Sequence, residues 1–295
     1  SHLAARTCQE INGVSEIHGR VSRQMFNELW QGYNAEELHI DYVTNGVHYP
    51  TWIASEWHNL FTQTFGDDFL NDQSNKNHWR KIHDVDDEVL WQIRTHRKRI
   101  LMDYVRQQLA KELTIRQRNP REIVARTKAI TNNALVIGFA RRFATYKRAQ
   151  LLFYNPDRLA KIVNNAQQPV VFVFAGKAHP ADKAGQELIQ KVVEMSEKPE
   201  FLGKVIFLEN YDMQLARLLV QGVDVWLNTP TRPLEASGTS GMKATLNGVL
   251  NFSVLDGWWA EGYRPDAGWA LKEERTYQYQ EHQNQLDSET IYGIL

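Results

Sequence analysis

A chain of 295 residues with 42% hydrophobic and 23% charged residues has a globular composition and enough apolar residues for a sizeable core, in one large domain or two modest ones. A formal net charge of −1 gives no electrostatic reason to expect nucleic acid or a membrane surface as a partner, and no apolar run reaches the ~20 residues of a membrane helix. The single cysteine, Cys8, excludes an internal disulfide framework and a cysteine-rich metal site, and it suits a reducing, cytoplasmic setting.

Residues 1–40 are expected to be helical, because Ile11, Val14, Ile17 and Val21 recur at helical steps with no start signal ahead of them. The uncapped beginning and the apolar ending ETIYGIL together read as a piece of a longer enzyme. An Asn-Gly pair and a proline mark a turn within residues 41–52. Residues 53–130 read as mostly helical. Asp84, Asp86, Asp87 and Glu88 lie at the positive end of a helix whose apolar stripe is Leu90, Ile93, Leu101, Val105, Leu109 and Leu113. Pro120 is expected to end or interrupt that region. The stretch 94–128 holds eleven Lys/Arg against three Asp/Glu, with Tyr104 its only aromatic, and is read as a solvated helical face rather than a base-stacking surface. His78, His83 and His96 lack metal-ligand spacing, so no metal is expected.

The pattern changes at about residue 132. ALVIGFA (134–140), PVVFVFAG (169–176), KVIFLE (204–209), VDVWLN (223–228) and VLNFSV (249–254) are short, nearly continuous apolar runs, as strands buried on both faces must be. Helical stretches at 148–164, 182–198, 213–221 and 240–246 separate them. The fold class is therefore α/β, a parallel sheet wrapped by helices and preceded by a helical segment. Ligands of such sheets bind beyond the carboxyl ends of the strands.

The residues after those strands are unusual. Arg141, Arg142, Lys147 and Arg148 follow the first strand, where a dinucleotide-binding fold would carry a glycine-rich turn. Cations converging there suit a phosphate, and a solvated basic loop is the alternative. Gly176, His179, Pro180 and Asp182 follow the second strand, with His179 read as a structural residue. After the third strand, Tyr211 offers a hydroxyl to a ligand, and Asn210 or Asp212 is the expected cap of the next helix. The fourth strand leads into NTPTRPLEASGTSGMKA (228–244), small residues with free backbone N–H groups at a helix start, which suits a dianionic phosphate. Lys243 stands four residues after Thr239 on the same helical face. A phosphate at one end and an aldehyde at the other would span that interval, and pyridoxal 5′-phosphate meets both requirements. A capped surface helix ending in an ordinary lysine is the alternative.

RRFATYKRA, AGKAHPAD, ENYDMQLA, NTPTRPLEASGTSGMKATLNG and SVLDGWWAEGY, with HGRVSR and VTNGVHYPTW upstream, resemble the α-glucan phosphorylases, in particular the compact bacterial and archaeal branch. The resemblance runs through most of residues 10–265. It implies two Rossmann-like domains facing across a cleft. Residues 1–45 would be the tail of the N-terminal catalytic domain, and 46–295 the C-terminal pyridoxal-phosphate domain, helical over 46–130 with its sheet core at 131–260. The cofactor would sit on Lys243. Arg142 and Lys147 would hold the substrate phosphate; Arg141, Gly238 and Thr239 would contact the cofactor phosphate, with Tyr211 beside them. Asn45, Tyr146, Glu235, Ser237 and Gly238 would contact the glucosyl unit. The implied partners are α-glucan, inorganic phosphate or glucose 1-phosphate and the rest of the same enzyme, and a homo-oligomer is compatible with them. Glu235 has no evident second carboxylate, which argues against a two-carboxylate hydrolase. Two other readings remain open: a sugar-nucleotide-dependent glycosyltransferase of the same architecture, and an isolated non-catalytic domain.

Overall fold

A computed structural model describes residues 2–271 and 279–295. Residues 1–40, expected to be helical, hold helices His2–Thr7 and Glu16–Phe26 among the described residues but are not helical throughout. Strands β1 (Ile11–Gly13) and β2 (Ile40–Tyr42) pair in parallel, Ile11 against Ile40, and helix Glu16–Phe26 crosses between them. The reason is Ser15. Its extended backbone and hydroxyl cap that helix by accepting from His18 N–H, so the helix starts after Ile11 and Val14 rather than through them.

Asp86 caps the long helix Asp87–Ile115 by accepting from Glu88 N–H. Pro120 does not merely interrupt. It occupies the first turn of a new helix, Pro120–Lys128, behind an Asn119 cap. The basic stretch is also not simply a wet face. Arg94 donates to the carbonyls of Gln221, Val223 and Asn247, Lys98 meets Asp224 at 2.6 Å, and Arg126, 8% exposed, donates to Glu197. Arg94, Lys98 and Arg126 reach inward, while Arg99, Arg116, Arg118 and Arg121 stay exposed, a division that composition alone does not reveal.

The main sheet has six parallel strands: β3 (Leu135–Arg142), β4 (Val170–Lys177), β5 (Val205–Leu208), β6 (Val225–Asn228), β7 (Leu250–Val254) and β8 (Gly268–Leu271). Their spatial order is β5-β4-β3-β6-β7-β8. The five expected strands are present. The sequence reading missed the edge strand β8, whose Gly-Trp-Ala-Leu holds no β-branched residue. Alternate residues feed two cores. Ile137, Phe139, Phe172, Phe174 and Leu227 meet Leu159, Val192, Met195 and Ile291 on one face. Val136, Ala140, Val171 and Val173 meet Leu101, Val105, Leu215 and Leu219 on the other. Both faces are thus covered by helices, as a doubly wound sheet requires.

The strand order fixes where a ligand belongs. The chain steps outward from β3 to β5, then returns to β6 on the other side of β3. Between the ends of β3 and β6 lies the switch point of a Rossmann-type sheet. The two loops there are tied together: Thr231 N–H donates to Tyr146 carbonyl at 2.7 Å, Thr229 Oγ1 to Lys147 carbonyl at 3.1 Å, and Arg148 to the carbonyls of Thr229 and Pro230 at 2.9 Å each. Arg148 is 2% exposed and pairs with Asp287 at 2.6 Å, a residue of the last helix, Gln280–Ile294. It is therefore a structural clamp, and the apolar ending of the chain lies in the core through Ile291 and Tyr292. Arg148→Ala leaves Asp287 buried and unpaired, and is expected to cost about 3–5 kcal/mol in chemical denaturation. A loss below about 1 kcal/mol, the worth of an exposed pair, would show that the clamp does not hold the loops.

Candidate active site at the sheet switch point

The centre of the site is Glu235, on the loop after β6. Its Oε2 accepts from Arg141 Nη1 at 3.3 Å and, at a shorter distance, from Lys147 Nζ. All three residues are 8% exposed. Arg141 lies at the end of β3 opposite Gly176, where any Cβ would collide with the Arg141 carbonyl, so glycine permits that close approach. Burial lowers the Arg141 pKa from its ordinary value; Glu235 opposes that shift most, followed by Tyr146 and Tyr211. The Lys147 ammonium stands 4.7 Å from the Tyr146 ring centroid. Arg142, next along β3, is exposed, and its side chain has no hydrogen bond or ion pair among the described residues. Arg141, Arg142 and Lys147 outnumber the carboxylates of Glu235 and the adjoining Asp256, so the cluster is net positive, which suits an anion.

The segment Glu235–Ser237 is held through its backbone. Asp256, just after β7, accepts from Glu235 N–H at 2.8 Å through Oδ2 and from Gly257 N–H at 2.9 Å through Oδ1. Trp258 N–H donates to Ser237 carbonyl at 2.8 Å. Gly257 has φ +54, and a Cβ there would strike the Ser237 carbonyl, so only glycine lets this turn lie under the segment. A second carboxylate does therefore adjoin Glu235, contrary to the sequence reading. It is 1% exposed and occupied by two amides, so it is no hydrolytic partner.

Gly238 follows in left-handed conformation and leads into helix Thr239–Leu246. At Gly241 a Cβ would come within 2.6 Å of Asn251 Oδ1 and 2.9 Å of Trp258 Nε1, so the helix start lies close against β7 and its turn. Three polar atoms around this segment are buried with no hydrogen-bond partner: Ser237 Oγ, Arg141 Nε and Asn228 Oδ1. Such atoms ordinarily find partners, and their concentration here marks a place for polar ligand groups.

Lys243 lies one helical turn beyond Thr239. Its Nζ sits 3.9 Å from the centroid of the Trp52 ring, and burial lowers its pKa. No ion pair joins it to the Arg141–Glu235 cluster; the helix start is what the two share. Trp52 was not singled out as a site residue in the sequence. It closes helix Tyr49–Trp52, and its carbonyl accepts from Gln221 and Asn247 side chains, which holds that helix end in place beside Lys243. Asp256 was missed as well, although the Asp-Gly pair after a strand signals a turn.

Of the remaining predicted residues, Thr239 opens the helix, and burial raises the Tyr211 pKa against the lowering effect of Arg141. Asn45 lies in the loop after β2; its N–H donates to Val14 carbonyl, and its side chain makes no hydrogen bond to the cluster. Asp212 is the cap of helix Met213–Gly222. His179 is exposed and accepts from Ala181 N–H, a loop-stabilising role. No group of three His, Cys, Asp or Glu among the described residues is placed to hold a metal ion, and no helix among them is long and apolar enough to cross a membrane.

The carbohydrate phosphorylase family matches this chain over residues 1–261, and the chain belongs to that family. It is 45% identical over 294 residues to a maltodextrin phosphorylase of Thermococcus litoralis, covering 99% of this chain and 35% of that protein. It is 44% identical over 295 residues to a glycogen phosphorylase of Mycobacterium tuberculosis, covering 100% of this chain and 34% of that one. With a glycogen phosphorylase of Aquifex aeolicus it shares 42% identity over 293 residues, 99% of this chain and 42% of that protein. The chain thus spans about a third to two-fifths of the length of these curated relatives.

Burial raises the Asp256 carboxyl from 3.8 to about 6, outweighing the two amides that favour its ionised form. A pKa raised on folding gives stability that is complete below the unfolded value and lost as pH rises through the folded one. Wild-type protein should therefore lose more stability than Asp256→Asn between pH 3.8 and about 6 in denaturant titrations. Parallel curves for the two proteins would contradict this burial.

Proposed function

We propose that this chain is the pyridoxal-phosphate-binding part of an α-glucan phosphorylase, in which residues 1–45 belong to the N-terminal domain and 46–295 form the C-terminal one. The reaction is phosphorolysis of an α-1,4-glucan to glucose 1-phosphate with retained configuration. One observation carries this reading. At the switch point, a strand-end arginine and a loop lysine share one carboxylate, beside a glycine-led helix start and three buried polar atoms without partners.

The residues present fit pyridoxal phosphate. Gly238 and Thr239 offer backbone N–H groups at the helix start, Arg141 offers charge, Tyr211 flanks it, and the half-buried Lys243 amine has lowered proton affinity, as an imine-forming lysine needs. When bound, the cofactor supplies a phosphate that relays a proton to and from the substrate phosphate.

Arg142 and Lys147 hold the substrate phosphate. Lys147 is already anchored on Glu235, so its ammonium is oriented before the anion arrives. Glu235, with Asn45, Tyr146, Ser237 and Gly238, binds the glucosyl hydroxyls, and the free Ser237 hydroxyl suits one of them. The glycosidic C1–O bond breaks, the departing oxygen takes a proton from the substrate phosphate, and C1 bonds to a phosphate oxygen. Positive charge develops on the sugar as the bond breaks, and the negative charges of phosphate and Glu235 stabilise it. The glucan and phosphate are the small-molecule partners, the remainder of the enzyme the macromolecular one, and the setting cytoplasmic.

Added pyridoxal phosphate should give wild-type chain a bound chromophore that Lys243→Ala lacks, and borohydride should fix the label on Lys243. Labelling of another lysine would overturn the assignment. The 295-residue chain by itself is expected to show little or no turnover with glucan and phosphate.

A further inference from the structure

The leading β1–helix–β2 unit is fastened at two points, one on the ligand segment itself and one on the helix that follows the turn supporting it. Ser15 is fully buried. Its hydroxyl accepts from His18 N–H at 3.2 Å and donates to the carbonyl of Ala236 at 2.7 Å, 221 residues away. Ala236 lies between Glu235 and Ser237. Glu261 supplies the second point. Its carboxylate accepts from Glu16 N–H at 2.9 Å and from Thr44 Oγ1 at 2.6 Å. Glu261 belongs to helix Trp259–Gly262, directly after the Asp256–Trp258 turn that holds Glu235 and Ser237.

Three backbone groups of the ligand segment are therefore gripped from three directions: Glu235 N–H by Asp256, Ser237 carbonyl by Trp258, and Ala236 carbonyl by Ser15. Only the last grip comes from the leading unit. The Glu261 carboxylate meets the first turn of helix Glu16–Phe26, where free N–H groups favour negative charge. The same helix is thus anchored at its N-terminus by both contacts.

We propose that Ser15 and Glu261 are positioning residues that couple the placement of the leading unit to anion binding at Lys147, whose ammonium Glu235 anchors. Neither touches the ligand. Both act by fixing the segment whose Glu235 orients the Lys147 ammonium. A segment already held loses less freedom when a ligand arrives, so fastening the leading unit raises affinity. Coupling is reciprocal: if the fastened unit favours the anion, the anion favours the fastened unit by the same factor. Any displacement of residues 1–45 would then be felt at the site through the Ala236 carbonyl. This inference rests on the anion site proposed above.

Inorganic phosphate is the probe. Its affinity for the full chain is measured by calorimetry, and hydrogen exchange is followed over residues 14–26 with and without saturating phosphate. Wild-type chain should bind phosphate and show slowed exchange at 14–26, a segment the anion does not contact. Ser15→Ala should stay folded by circular dichroism, bind phosphate about fivefold or more weakly, and lose that remote protection. Glu261→Gln, which keeps one acceptor but removes the charge, should fall between the two. If wild type binds phosphate, and Ser15→Ala binds it equally with unchanged exchange at 14–26, the coupling is refuted while the anion site stands. If wild type binds no phosphate at all, the anion site and the coupling fall together.

Discussion

The structure depends on one shared carboxylate. Glu235 accepts from Arg141 at the end of β3 and from Lys147 on the loop that follows, and so joins the first and fourth βα units of the sheet. Buried cations without a partner would be costly, and burial already depresses the Arg141 pKa. The carboxylate offsets part of that cost while leaving the pair net positive. The same contact thus stabilises the crevice and keeps it attractive to an anion. Around it, Arg148 and Asp287 clamp the two loops from behind, and the Asp256–Gly257 turn holds the Glu235 segment from beneath.

Much of this arrangement follows from strand order. A parallel sheet that reverses direction between β3 and β6 must open a gap beyond their carboxyl ends, because successive helices leave toward opposite sides. Arg141, Arg142 and Lys147 reach that gap from one side, and Glu235, Ser237 and Gly238 from the other. Lys243 stands one helical turn deeper, against Trp52, where its amine is partly shielded from water.

The sheet was legible because buried parallel strands are continuous apolar runs, and ALVIGFA and PVVFVFAG admit little else. The edge strand β8 was not, since Gly-Trp-Ala-Leu lacks that signature. The leading unit was misread because Ile11, Val14, Ile17 and Val21 keep a helical period through a strand and a cap; only the Ser15 contact breaks it. At the site, the residues after β3 and β6 stood out by charge and by small side chains. Asp256, Trp52 and Ser15 did not. Each acts through a partner more than twenty residues away in sequence or through the backbone of another residue, and such contacts leave no local spacing to read.

A crystal structure of the chain grown with pyridoxal phosphate and inorganic phosphate tests the central claim most directly. The account predicts density joined to Lys243 Nζ and extending toward the Gly238–Thr239 helix start, with a separate anion against Arg142 and Lys147. Density on a different lysine, or an anion bound away from both loops while the Glu235 crevice holds only water, would contradict it.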